Sequence, residues 1–157
     1  MEEIERMQKY LLLIRRAVGW TAEEFGDKIG VTRQTINNLE SGRNKLNKTQ
    51  YIAIRAVLDA EIARSPDDTQ MLAALLDMLI DNPDKYDKKS YNDLVSLAQI
   101  TTPSIISKAA TRKDVSKRWI AVAGIAAGAA IGTFSPLVPI VGGTWLARII
   151  HDNKKKK

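Results

Sequence analysis

Stop signals and helix-opening residues crowd the first third of the chain so closely that only short helices fit between them. Gly19 is followed by Thr21, Gly30 by Thr32, and Ser41-Gly42 by Asn47. Before them, Ile4, Met7, Leu11, Ile14 and Val18 alternate in steps of three and four, placing apolar side chains on one face of a helix over about 2–18. Thr21 with Glu24 three residues later is a capping box for a second helix with Ala22, Phe25, Gly26 and Ile29 inward. Thr32 opens a third, anchored only by Ile36 and Leu39, and Asn47 a fourth that carries Tyr51, Ile52, Leu58 and Ile62. No β-type alternation interrupts the series, so the chain is read as all-α.

Two short helices joined by a tight glycine turn, set between two longer packing helices, outline a helix-turn-helix. The stretch TAEEFGDKIGVTRQTINNLESGR resembles the DNA-binding module of the phage repressor and Cro superfamily, the XRE family, over about residues 8–62. Thr21, Glu24, the Gly30-Val31 turn, Thr32, Ile36, Leu39, and Glu40 followed by Gly42 all fall in register.

A recognition helix has to be narrow and polar on its groove side and held by a few apolar residues behind. The segment Thr32–Glu40 has that build, with Arg33, Gln34, Asn37 and Asn38 left outward. Base-edge chemistry suits Arg33 to guanine O6 and N7, and Gln34 and Asn38 to adenine N6 and N7. The resemblance points to the same three residues as base contacts. Thr32, Thr35, Ser41, Arg43 and Lys45 are the expected backbone contacts, with Lys48 further along. The amides at the Ala22 end of the second helix join them, although the family commonly has Gln where this chain has Ala22. The resemblance further implies that Glu40, an acid beside a DNA surface, pairs with Arg15 of the first helix.

Charge is distributed unevenly. Residues 1–64 hold 11 basic and 9 acidic side chains, a net of +2, and 65–118 are neutral, so most of the overall +6 lies beyond residue 118. A reader this weakly basic is expected to bind as a homodimer or higher oligomer on a palindromic or repeated double-stranded operator, with half-sites about 34–36 Å apart. The absence of cysteine excludes disulfide frameworks and thiolate metal sites, and the lone His151 cannot build a histidine metal centre. No cofactor, metal or enzymatic role is expected. The acidic, amphipathic start MEEIERMQKY is unlike a signal peptide, which implies a cytoplasmic protein.

Three segments make up the organisation: a DNA-binding domain over 1–64, a helical connector or dimerisation region over 65–116, and an apolar part over 117–157. In the middle, Ser65-Pro66 is read as the opening of a helix carrying Met71, Leu72, Leu75, Leu76 and Leu79. A second helix carries Tyr91, Leu94, Val95, Leu97 and Ala98, and Thr102-Pro103 opens a third with Ile105, Ile106 and Ala109 inward.

The run 119–147 contains no formal charge, and Gly124, Gly128 and Gly132 make one helical stripe within it. Trp119 and Trp145 stand near its ends like interfacial aromatics, with basic residues beyond. A continuous helix of that length would be about 44 Å long against a hydrocarbon core of about 30 Å. Pro136 and Pro139 argue for a hairpin instead. This Gly-striped hairpin either associates with the cytoplasmic face of a membrane through 119–150 or buries itself as an oligomer interface. The function expected is a sequence-specific transcriptional regulator or repressor. An antitoxin-like autoregulator gripping a protein partner, and a small membrane-active protein with a DNA-binding head, are the alternatives.

Overall fold

A computed structural model describes residues 2–127 together with Trp145, Leu146 and Ile149, with side chains described to residue 122 in the continuous part. Every regular element among the described residues is helical. Helix α1 spans Glu2–Val18, with Glu2, Glu3 and Glu5 in its first turn and Arg15 and Arg16 in its last, the arrangement that complements the helix dipole. Helix α2 spans Ala22–Ile29, α3 Arg33–Glu40 and α4 Lys48–Arg64. The Thr21–Glu24 capping box is formed, and Asn47 with Gln50 makes a second one at the head of α4.

The remaining helices pack on this quartet. Helix α5, Gln70–Leu76, runs into a π-helical turn over Asp77–Asp81, and a 3-10 turn over Pro83–Lys85 leads to α6, Lys88–Thr101. The short α7, Pro103–Ile106, and α8, Arg112–Ala127, come next. One cluster of buried apolar side chains extends from Met7 and Leu11 through Phe25, Ile36, Leu58 and Leu75 to Leu94 and Trp119. Polar ties cross it: Arg6 donates twice to Ile80 O (2.8 and 3.2 Å), and the Tyr91 hydroxyl donates to that of Tyr10 (2.8 Å). Met78, Leu79 and Ile80 of the π turn are all buried, continuing the run of Ala74, Leu75 and Leu76 in α5.

Several sequence expectations are corrected. Ser65 does not open the next helix: it ends α4, donating its N–H to Glu61 O, while Thr69 Oγ1 donates to Ser65 O (2.7 Å) and α5 begins only at Gln70. The carbonyl that would have started a helix at Pro66 is thus tied into a turn. Ala109 is exposed, because α7 stops at Ile106 and Lys108 turns the chain with φ 61°. Val115 and Trp119 of α8 take the inward role instead.

Neither tryptophan lies where an interfacial aromatic would. Trp119 is 2 % exposed and its indole N–H donates to Leu94 O (3.2 Å). Trp145 is equally buried, against α4, where its N–H donates to Asp59 Oδ2 (2.6 Å). Gly124 falls within α8, whereas Gly128, Gly132, the expected fold-back and His151 lie outside the described residues. No helix among the described residues is long and apolar enough to cross a membrane.

Candidate nucleic-acid interface

The turn between α2 and α3 is made by sequence-specific backbone chemistry. Gly30 caps α2 in the left-handed conformation, φ 79°, which side chains with a Cβ rarely adopt. Gly26 lies where α2 passes the incoming stretch of chain: a Cβ there would sit 2.6 Å from Val31 O and 3.3 Å from the carbonyl carbon of Thr32. Thr32 then caps α3 by accepting from Thr35 N (3.1 Å), and the two threonine hydroxyls lie 3.0 Å apart. Ile36 and Leu39 are fully buried behind α3.

The opposite face is polar and open. Arg33, Gln34 and Asn37 are exposed and Asn38 half-buried; Gln34 Nε2 donates to Asn38 Oδ1 (3.0 Å), so these two amides form one ordered unit. Thr32 is exposed and Thr35 half-buried at the leading end of the helix. Ser41, Arg43 and Lys45 are exposed in the loop that leaves α3, with Ser41 Oγ donating to Asn38 O (3.3 Å). Ala22 is half-buried at the first position of α2, and the Thr21 N–H beside it is already taken by the Glu24 carboxylate (2.7 Å). Lys48 is turned elsewhere, donating to Ile149 O (3.0 Å).

Glu40 is not on the open face. Its carboxylate receives Arg15 Nε and Nη2, the latter at 3.0 Å, while Arg15 Nη1 donates to Trp20 O (3.0 Å). One guanidinium therefore joins α1, the entry to α2 and the end of α3. The two side chains are 11 % and 9 % exposed, which screens the pair from solvent.

Two positioning groups escaped the sequence reading. Gln8 of α1 donates to Leu39 O (3.0 Å) and Asn44 O (2.6 Å) and accepts from Leu46 N (3.0 Å), pinning both ends of the loop that carries Arg43 and Lys45. Its offset from the apolar face of α1 is the only sequence signal it leaves. Arg55 of α4 is 1 % exposed and bonds both oxygens of Asp81 (2.7 and 3.0 Å), with Asp59 at 4.0 Å. Burial pushes the Asp59 carboxyl above the usual range despite Arg55; for Arg55 burial acts downward and the Asp81 bonds outweigh it, leaving the guanidinium above its ordinary value. The spacing of Arg55 and Asp59, four apart, was the available clue.

A four-helix head with a capped, tight-turned pair and an outward polar third helix defines a helix-turn-helix protein. Residues 11–64 match the family model described as Helix-turn-helix, and this third of the chain is a Cro- and repressor-like DNA-binding domain of the XRE kind. The chain is accordingly, in general terms, a DNA-binding regulator. No curated protein matches it, and no solved structure does.

Proposed function

We propose that the protein is a sequence-specific transcriptional regulator that reads an operator through Thr32–Glu40. The observation carrying this reading is the build of α3: buried Ile36 and Leu39 on one side and a polar row of exposed Arg33 and Gln34 with half-buried Asn38 on the other. Arg33 suits guanine, and the Gln34–Asn38 amide pair suits adenine, each good bidentate contact being worth about 1–3 kcal/mol of discrimination. Thr32, Thr35, Ser41, Arg43, Lys45 and the amides at Ala22 hold the phosphates and set register. A homodimer on a two-fold or repeated operator doubles the contacts of a module that carries only +2 over residues 1–64. Burial of Trp119 and Trp145 supports packing of these two side chains on protein in preference to lipid.

Selection of binding sites from a random duplex library by the full chain tests the reading. A defined motif should emerge, and Arg33→Ala with Gln34→Ala should erase the preference while leaving weak, sequence-independent binding. Equal, sequence-independent binding by both forms would refute it.

A further inference from the structure

The joint between the four-helix head and the later helices is not closed. A cleft of about 450 Å³ opens there, between the corner that leads from α1 into α2, the end of α4 and the link from α7 to α8. That volume falls within the span of small-molecule sites, about 300–1,000 Å³. Its apolar wall is made by Val18, Trp20 and Ile105, each buried for most of its surface.

The remaining wall is charged. Arg64 and Arg112 line it with a single acid, Glu61, and both are engaged: Arg64 donates to the Glu61 carboxylate (2.8 Å), while Arg112 bonds Glu61 (2.6 Å) and Val18 O (3.1 Å) and has Asp68 at 3.9 Å. Glu61 and Asp68 thus balance the two guanidiniums. The third cation of the lining, Lys108, is exposed and pairs with no carboxylate among the described residues. Lys108 also turns the chain with φ 61°, and it is the only non-glycine with a positive φ among the described residues. Glycine takes that conformation freely and a side chain does so at a cost. What the lysine supplies in its place is an ammonium group beside the cleft.

An uncompensated ammonium next to an aromatic and aliphatic wall is complementary to a small organic acid. The wall is also wired to α3. The Trp20 carbonyl accepts from Arg15 Nη1, and the same guanidinium holds Glu40 at the end of α3.

We propose that this cleft is an effector site for a small organic acid with an apolar body, its carboxylate on Lys108 and its body against Trp20 and Ile105, and that occupancy alters DNA binding through Trp20, Arg15 and Glu40. The regulatory half rests on the DNA-binding reading above; the binding half stands without it.

The test titrates the full chain, without DNA, with phenylacetate, naphthoate and octanoate, each beside its neutral alcohol, by ligand-observed NMR. At least one acid should bind roughly tenfold more tightly than its alcohol, the effect of one charge-assisted hydrogen bond. Lys108→Gln should erase that preference and leave the alcohol's affinity and the Tm as they were, and Lys108→Arg should restore it. Acetate at the same concentration should not displace the acid, having the charge without the body. A saturating acid should change affinity for a selected operator by about fivefold or more, and the operator should change affinity for the acid by the same factor. The absence of any acid preference overturns the proposal, as does a preference that survives Lys108→Gln. Displacement by acetate overturns it too, because charge alone would then suffice. Unchanged operator affinity under a bound acid removes the effector role. Failure of base reading shows separately: no operator emerges from selection, while the acid preference and its loss in Lys108→Gln persist.

Discussion

Arg15 near the end of α1 and Glu40 at the last residue of α3 face each other as fork to carboxylate, sharing two hydrogen bonds, with Nη2 to Oε2 at 3.0 Å. Helix α3 is thereby tied at its far end to the helix that forms the floor of the core. Removing one partner leaves a guanidinium in a site almost closed to water. Glu40→Ala should cost about 3 kcal/mol, lowering Tm by on the order of 10 °C for a chain of this size. Thermal unfolding followed by circular dichroism measures it, and an unchanged Tm would show that the pair holds nothing.

Gly26 offers a steric test of the turn. Its missing Cβ would meet main-chain atoms, Val31 O at 2.6 Å first, and main chain cannot swing aside as a side chain can. Gly26→Ala should destabilise the chain by about 2 kcal/mol through overpacking and should open the angle between α2 and α3. Urea unfolding together with operator binding reports both; stability equal to the parent would mean that the two helices separate without cost.

Gln8 governs the loop rather than the groove. Gln8→Leu removes one acceptor and two donated bonds, leaving Leu46 N without its partner, at about 1–3 kcal/mol for the unsatisfied groups. DNA affinity should fall equally for operator and mixed-sequence duplexes, since Arg43 and Lys45 lose their fixed placement. A loss confined to the operator would place the effect on α3 instead.

Glu61 supplies a pH signature. Burial raises its carboxyl pKa, but the hydrogen bonds from Arg112 and Arg64 outweigh this and hold it below the ordinary glutamate value. A depressed folded pKa means stability present above the unfolded value of about 4.3 and lost as pH falls through the folded one. Glu61→Gln should therefore be less stable than the parent at neutral pH, and the gap should close below about pH 4. Urea midpoints measured from pH 7 to pH 3 track that gap, and one that stays constant would remove the ionised pair as its source.

The head of the molecule was legible because its signals are local. Thr21 with Glu24, Gly30 and Thr32 act through bonds spanning three or four residues, which spacing alone reveals. Ile36 and Leu39 could be assigned inward because α3 offers no other anchors. Ser65-Pro66 misled for the same reason: a capping pattern says nothing of whether the preceding helix has finished, and α4 holds Ser65 as its own end. Long-range contacts left no periodic trace. Gln8 bonds the loop 36 residues away through Asn44, and Trp145 lies against residues of α4 across most of the chain, so nothing near either in sequence marks its role.

The helices beyond Arg64 share a core with the reading head, with Arg6 held by Ile80 and Tyr10 by Tyr91. Removing them would uncover a flank of α1, where Arg6 would lose Ile80 O and Tyr10 would lose Tyr91. Whatever steadies or loosens α5 and α6 is felt by α1, and through Arg15 and Gln8 by α3 and the loop that follows it. On the proposed reading, a change of operator is confined to the outer row of α3, while changes of regulation have the whole of the middle region in which to arise.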